Sequence, residues 1–578
     1  MANVSIRIAG ANGDGVESTG ALLGKIAALS GMEVFGNRGY QSVIRGGHVW
    51  YQIRIGDEKL YSAGDSIDVL VALNQDSIVN QKSHLSDKAI VIYDSAKCNV
   101  TELEGRSYKL VGIPFLEIVL AAGGDSIMRN MVSIGAVLKV VGIDISLFDA
   151  VINKMFLRKG IDVVNKNIKV ATDGYSYKGV ENVYSIKGDG KPRYLLDGNT
   201  AVSLGAYAAG CKYYAAYPMT PASGILQWFA AHADRGVLYK QTEDEIAAIN
   251  SAIGASSAGV RAMCGSSGGG FALMVEALGL AGMLETPLVV VESQRTGPST
   301  GLPSKTEQGD LLFVMHASQG EFPRIVVAPR SMEECFSLTA DAFNLADRYQ
   351  CPVIILVDAF ISERVESVVN FDVDSIRIDR GKMADASATS GRFKRYELTN
   401  DGISPRSVPG MKGFSFVAPS YEHNEYGELV SDVLSGLDAH VEMRKKMQEK
   451  RMRKMDTMLK QEKVFAPNIE NENAKHFLVA FGSTTSVARE AMAALNRKGL
   501  DFGLISFSYI LPLDSDRTKR MLSGKHLIDV ECNYTAQLAK VIRMEMGVEI
   551  KDTILRYDGE NITCGEIVDK AAKIAGSQ

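Results

Sequence analysis

The seven cysteines of this 578-residue chain, Cys98, Cys211, Cys264, Cys335, Cys351, Cys532 and Cys564, are scattered and include no Cys-x-x-Cys pair. Iron–sulfur clusters and structural zinc need closely spaced thiolates, so the spacing argues against either centre, and an odd, dispersed set makes no disulfide framework. The eight histidines are dispersed as well, without a two-histidine helical pair, so no metal site is legible. No uncharged apolar run reaches the roughly 18 residues of a membrane span. The opening Met-Ala-Asn-Val-Ser-Ile-Arg-Ile lacks the basic head and apolar stretch of a secretory signal. The expected location is the cytoplasm, with no membrane partner. A formal net charge of −5 gives no electrostatic reason to expect nucleic acid, whose binders are usually basic. Small molecules and protein partners remain.

What is present is the composition of a globular protein, 46% hydrophobic and 23% charged, long enough for several cores. Val4-Ser-Ile-Arg-Ile8 alternates as a strand, Gly10-Ala-Asn-Gly-Asp-Gly15 follows as a turn, and Ala21 to Leu29 carries a helical pattern. Strand, glycine turn and helix make the first unit of a doubly wound sheet, and the helix start can cradle a diphosphate on its N–H groups. As a dinucleotide fingerprint the turn is imperfect, because Ser18 stands where glycine or alanine belongs. As the Gly-Asp-Gly of a metal-diphosphate motif it finds Asn37 too early. Arg45-Gly-Gly47 precedes a second alternating strand, Val49 to Ile55, and reads either as a bulge or as a close backbone approach to a phosphate. Apolar runs at 69–73, 89–93 and 110–114 add buried strands. Residues 172–195 lose periodicity and read as a linker. Strands recur at 262–264, 288–292, 324–328 and 352–358 with helical segments between, the alternation of a parallel sheet wrapped on both faces. Residues 376–420 are polar and irregular. Methionines 443, 447, 452 and 455 fall at helical spacing in a strongly charged stretch, which reads as an amphipathic helix with a solvated basic face. A last small α/β region follows, with strands at 477–481, 502–506 and 527–531.

The chemistry concentrates between residues 211 and 310. The apolar run Cys211 to Tyr217 reads as a buried strand, and Pro218-Met-Thr220-Pro221 fixes the backbone where it ends, the place where open α/β sheets collect ligands. The plain alternative is a β-to-α turn with Thr220 as N-cap and Pro221 at the first helical position. Thr242-x-x-Glu245 before an apolar run fits a capping box. Arg295 follows another strand and could serve in a surface salt bridge. The run Gly268-Gly-Gly270 could be an ordinary turn.

Taken together, Tyr217-Pro-Met-Thr-Pro221, Gln241-Thr-Glu-Asp-Glu245, Ser266-Ser-Gly-Gly-Gly270 and Gln294-Arg-Thr-Gly-Pro-Ser-Thr-Gly-Leu-Pro303 resemble the α subunit of the thiamine-diphosphate-dependent 2-oxoacid:ferredoxin oxidoreductases, with residues 1 to about 185 resembling that family's γ subunit fused ahead of it. The resemblance implies a coenzyme A domain over 1–185, a pyrimidine-binding thiamine-diphosphate domain over 195–375, a connector with a charged helix over 376–470, and a transketolase C-terminal-like domain over 471–578. It places Glu422-His-Asn-Glu425 ahead of the connecting helix. The implied activity is decarboxylation of a 2-oxoacid, with electrons passed to ferredoxin and the acyl group captured by coenzyme A. Among substrates the Gln294 to Asp310 segment looks most like the 2-oxoglutarate subgroup, giving succinyl-CoA and CO2; pyruvate and branched-chain 2-oxoacids stay open.

The same resemblance assigns roles. Glu245 is the catalytic acid beside the aminopyrimidine, a buried carboxyl that keeps its proton, with Glu243 as fallback. Thr220 and Arg295 hold the substrate carboxylate. Tyr217, Pro218, Gly268 and Gly270 line the cofactor, and Gly13, Gly15, Arg45 and Gly46 are placed near coenzyme A. A β subunit carries the diphosphate, magnesium (Mg2+) and a 4Fe-4S cluster, in an (αβ)2 assembly that meets ferredoxin. Cys264, Ser266 and Gly269 depart from the family's usual Thr, Thr and Pro, which leaves the rigidity of that loop open. Two other classes compete: a non-catalytic nucleotide-binding electron-transfer subunit, and a redox-free transketolase-type enzyme, which would need a complete metal motif in one chain.

Overall fold

In the computed structural model, which describes residues 2–40, 47–385 and 391–576, the alternating segment that opens the chain becomes the strand Asn3–Ala11. It belongs to the first of two units, made of Met1–Asp197 with Glu363–Phe371 and Thr563–Gly565. The second comprises Gly198–Ser362, Asp372–Ile562 and Glu566–Gln578. Each unit is an α/β structure built on strands that are apolar on both faces, as in Val69, Leu70 and Val71, all fully buried.

The first unit holds an eight-stranded sheet. Lys109–Ile113, Leu85–Asp94, Ile67–Ala72 and Asn3–Ala11 run parallel in that order, and His48–Gly56, Glu33–Gly39, Val365–Val368 and Tyr194–Asp197 continue it antiparallel. The expected strand, glycine turn and helix are there, with the helix at Val16–Leu29. The strand that follows, Glu33–Gly39, does not pair with Asn3–Ala11; His48–Gly56 returns between them, because a short connection brings a chain back antiparallel, whereas a parallel neighbour needs a crossover. The doubly wound part is therefore one half of the sheet. The stretch read as a linker starts later than expected, since the helix Ile161–Tyr175 runs into it and Tyr194–Asp197 closes it as a strand. The helices Val16–Leu29, Arg129–Val141 and Ile161–Tyr175 cover one face over a core that includes Ile6, Ile26, Val137 and Val170.

The second unit holds two sheets. In the seven-stranded one, Ile325–Val327, Pro352–Asp358, Leu288–Gln294, Ala262–Ser266, Tyr213–Ala216 and Leu238–Gln241 are all parallel, and Tyr509–Leu511 adds an antiparallel edge. The five-stranded sheet has Phe502–Phe507, His476–Phe481, His526–Glu531 and Asp552–Leu555 parallel, with Asn468–Glu470 antiparallel at its edge. One apolar core reaches from Val290 and Leu356 of the first sheet to Phe477 and Val479 of the second.

The charged stretch does form a helix, Leu437–Gln461, on which Arg444, Lys445, Lys446 and Lys460 are exposed as expected, but a second set of its basic residues is not solvated. Lys450, Arg451 and Lys454 are buried together with Met447 and Met458. Glu285 receives Lys450 Nζ at 2.5 Å and Lys454 Nζ at 2.6 Å, and Arg395 donates to the Glu285 carbonyl at 2.8 Å. Arg451 reaches Glu422 at 2.7 Å, within the Glu-His-x-Glu segment. Buried charge persists only where it is paired, so this face is a latch and not a solvent face. Among the described residues no helix is long and apolar enough to cross a membrane.

Candidate functional site

The strand Tyr213–Ala216 ends at Tyr217 and Pro218, both exposed. Thr220 does not cap a helix. The next helix, Ser223–Ala231, starts beyond Ala222, and Asn199 Nδ2 fixes the turn by donating to the Pro221 carbonyl at 2.9 Å. Thr220 instead meets Arg295, whose Nη1 donates to its carbonyl at 2.9 Å. Arg295 is half-buried, its Nε is buried without a partner, and no carboxylate of the described residues forms an ion pair with it. Burial pushes its guanidinium below its ordinary value. The surface salt bridge that the sequence allowed is not what this arginine makes; it is a cation with donors left over.

Glu245 opens the helix Glu245–Ser257 and is 4% exposed. The capping is done by its neighbour: Asp244 accepts from the Ala247 amide at 2.7 Å, and Thr242 Oγ1 turns to the Asp244 carbonyl at 2.8 Å. Glu245 is thus free of the capping box and points inward, where Ser266 Oγ donates to its Oε1 at 3.3 Å. Ser266 also lies 3.4 Å from the Met219 sulfur, so the two strand ends share one small polar cluster. Glu243, by contrast, is exposed. The strand Ala262–Ser266 leads into the helix Gly268–Leu284, and a Cβ on Gly270 would overlap both Glu245 Oε1 and Ser266 Oγ, so only glycine lets the carboxyl lie against that backbone. Of the three departures from the family pattern, Cys264 is buried in the core, Gly269 is exposed, and Ser266 keeps the hydroxyl that touches Glu245.

The segment from Gln294 to Asp310 is tied at both ends. Gln294 Oε1 accepts from the Asp310 amide at 2.9 Å. Gln308 closes on the five-stranded sheet, its Nε2 donating to the Phe481 carbonyl at 3.0 Å and its Oε1 accepting from the Cys532 amide at 3.0 Å. Asn533 Nδ2 adds a bond to the Gln308 carbonyl at 2.9 Å. Sequence reading named neither Ser266 as a partner of Glu245 nor Gln308 as an anchor; the one legible sign was that Ser266 retains a hydroxyl where the family has threonine.

In the first unit, Gly13 lies open on its turn with φ 101°, whereas Gly15 is the left-handed N-cap residue of Val16–Leu29. A Cβ on Gly15 would stand 2.7 Å from Asn130 Nδ2, which donates to the Asp14 carbonyl at 2.7 Å and to Thr19 at 2.9 Å. Gly15 therefore has a packing reason of its own. Arg45 and Gly46 lie outside the described residues. A cavity of 560 Å³ opens beyond the carboxyl ends of Ile67–Ala72 and Leu85–Asp94, lined by Gln75, Ser95, Lys97, Cys98, Asn99 and Glu102 among others.

Comparison with known proteins gives the family. The model of the thiamine-diphosphate-binding domain of pyruvate flavodoxin/ferredoxin oxidoreductases matches residues 204–443, and that of pyruvate ferredoxin/flavodoxin oxidoreductase matches residues 5–177. A 2-oxoacid:ferredoxin oxidoreductase subunit alpha from Sulfolobus sp is 32% identical over 98% of this chain and 96% of its own length. The chain belongs to the 2-oxoacid:ferredoxin oxidoreductase alpha subunits. Being an alpha subunit, it has a partner subunit. As an alpha subunit of this family it also aligns, at 28% identity over 98% of the chain and 91% of the relative, with the 2-oxoglutarate oxidoreductase subunit KorA of Mycobacterium tuberculosis. The solved 2-oxoglutarate:ferredoxin oxidoreductase of Magnetococcus marinus, with 2-oxoglutarate, coenzyme A and succinyl-CoA bound, superposes with a TM-score of 0.91 at 31% identity, covering 100% of both chains. The α/β fold class and the oxidoreductase activity class expected from the motifs are those of the family.

Proposed function

We propose that this alpha subunit acts on 2-oxoglutarate, forming succinyl-CoA and CO2 with ferredoxin as electron carrier, and that Glu245, Arg295 and Thr220 are its working side chains. The observation that carries the reading is Arg295, a half-buried cation at a strand end that has an orphan Nε, no carboxylate partner among the described residues, and Thr220 beside it. Such a group is suited to a bidentate hold on a substrate carboxylate, and Thr220, whose carbonyl it touches, would add its hydroxyl. The residues around Glu245 fit the aminopyrimidine: a buried acid, kept in place by Ser266, lies against a glycine backbone at the place a side chain would otherwise fill. Thiamine diphosphate, when bound, supplies the carbon nucleophile and electron sink for decarboxylation. Glu245 would hold a proton toward the pyrimidine ring nitrogen, Gly268 and Gly270 would give its ring a backbone wall, and Tyr217 and Pro218 would line the mouth. Arg295 and Thr220 would hold the 2-oxoacid.

The division of the chain into a coenzyme A domain over 1–185, a pyrimidine-binding domain over 195–375, a connector over 376–470 and a transketolase C-terminal-like domain over 471–578 belongs to the same proposal. Support for coenzyme A on the first region comes from the cavity beyond its parallel strands and the open turn at Gly13. The partner subunit would bring magnesium, the diphosphate grip and the 4Fe-4S cluster, in an (αβ)2 assembly placed in the cytoplasm. The preference for 2-oxoglutarate is supported by the Mycobacterium tuberculosis relative and by the Magnetococcus marinus enzyme. The test is to co-express the chain with its partner subunit and compare kcat/KM for 2-oxoglutarate, pyruvate and a branched-chain 2-oxoacid in a dye-reduction assay. A higher value for either of the others refutes the substrate assignment.

A further inference from the structure

Beneath the glycine turn lies an acid that none of these roles uses. Glu292 stands near the carboxyl end of Leu288–Gln294, in register with Ser266 on one neighbouring strand and Leu356 on the other. Register partners of parallel strands point to the same face, so Glu292 shares with Ser266 the face on which the helix Gly268–Leu284 begins. It is completely buried, and neither of its carboxyl oxygens has a hydrogen-bond partner. The Gly268 N–H faces it outside hydrogen-bond geometry, and the charged groups that face it are two more acids, Asp310 ahead of Leu311–His316 and Asp358 at the end of Pro352–Asp358. Asp310 packs on the same turn, since a Cβ on Gly268 would stand 2.9 Å from its Oδ2. Ser267 Oγ, at the N-cap of that helix, is also fully buried and unpartnered.

We propose that Glu292 is a positioning residue, a carboxylic acid that keeps its proton and, as a neutral group, holds the Ser267–Gly270 turn against Glu245. The inference rests on the reading of Glu245 given above. A fully buried carboxyl that faces two other acids, and whose oxygens no donor satisfies, is costly to ionise. Burial, then Asp310 and Asp358, push Glu292 well above the usual carboxylate range; burial, then Glu307, push Asp310 up to about 6. The most deeply buried member therefore holds its proton. Ionised, it would repel Asp310 from below the turn whose Gly270 touches Glu245. Its folded value being raised, the stability it permits is full below the ordinary value of 4.5 and is lost as the pH rises through the folded value.

The experiment uses the full chain for melting and the assembled enzyme for kinetics. Melting temperatures of wild type and Glu292→Gln are measured from about pH 5 to about pH 8, where linkage predicts that wild type falls relative to the variant as the pH rises. In turnover, Glu292→Gln, neutral and of the same shape, is expected to keep kcat within about twofold, while Glu292→Ala lowers kcat by about tenfold or more with KM for the 2-oxoacid within about threefold. Parallel melting profiles of wild type and Glu292→Gln overturn the proposal, as does a Glu292→Gln enzyme as impaired as Glu292→Ala. If the alanine variant does not fold, the glutamine melting profile decides. Full activity in Glu245→Gln would sink the Glu245 reading separately, and the melting comparison would still report where the Glu292 proton sits.

Discussion

Replacing Arg295 by alanine tests the proposed substrate hold, because this side chain makes few other contacts among the described residues. Among the described residues it makes one hydrogen bond, to the Thr220 carbonyl, and no ion pair. The turn at Thr220 is separately fixed by Asn199 through Pro221. The loss should therefore fall on the ligand. Truncating one side of a buried, hydrogen-bonded charge pair costs roughly 2–5 kcal/mol, and a half-buried guanidinium belongs in the lower part, about 2–3 kcal/mol. At 1.36 kcal/mol per factor of ten this is a fall of about 30- to 150-fold in kcat/KM for the 2-oxoacid. Arg295→Lys keeps the charge but loses the planar fork, and should lie between the two. The assay is 2-oxoacid-dependent dye reduction by the assembled enzyme, with KM for coenzyme A measured alongside. An unchanged kcat/KM for the 2-oxoacid, or a change confined to coenzyme A, refutes the clamp.

The other expectations concern the same wall and its supports. Glu245→Gln should lower kcat by at least about a hundredfold, the scale of lost acid–base assistance, with an unchanged circular-dichroism melt; undiminished turnover would return Glu245 to a structural role. Gly270→Ala puts a methyl where Glu245 and Ser266 already lie, so thermal unfolding should show a loss of about 1–3 kcal/mol together with reduced turnover, and a neutral result would mean that the carboxyl is not held there. Glu285→Gln leaves Lys450 and Lys454 buried without their counter-ion and should destabilise by about 3–5 kcal/mol in urea unfolding. Burial alone would raise the Glu285 carboxyl, but Lys450 and Lys454 hold it well below the usual range, so its contribution is present above about pH 4.5 and is lost as the pH falls through the folded value. An acid-unfolding profile identical in wild type and Glu285→Gln would refute the latch.

Much of the framework was legible because parallel strands buried on both faces read as apolar runs: the runs at 288–292 and 352–358 lie within strands of the structure, and the run at 69–73 overruns its strand by one residue. The strand Glu33–Gly39 was not legible: with two glycines, an asparagine and an arginine it has no apolar run, and only its antiparallel neighbours make it a strand. Leu238–Gln241 escaped because it is an exposed edge. The buried side of the basic helix was not legible for a physical reason. Lysine is assigned to water unless a partner is visible, and the partner of Lys450 stands 165 positions away in the sequence. At the site, the residue types were readable and their duties were not. Thr242 and Asp244 are both good caps, and only the backbone decides that Asp244 does the capping and Glu245 turns inward. The Ser266 partnership joins residues 21 apart on separate elements, beyond the reach of any local pattern.

The closure of Gln308 on Phe481 and Cys532 has a bearing on how this segment could be exchanged between relatives. The segment that carries Arg295 takes its far foothold from strand ends that arrive in the chain more than a hundred residues later. Phe481 and Cys532 answer Gln308 with main-chain groups, a carbonyl and an amide, and Asn533 alone with a side chain, so a grafted loop finds the same footholds only if it keeps a glutamine at position 308. An exchange of 294–310 that drops this glutamine should give a chain that folds yet lacks the loop's tie to the five-stranded sheet.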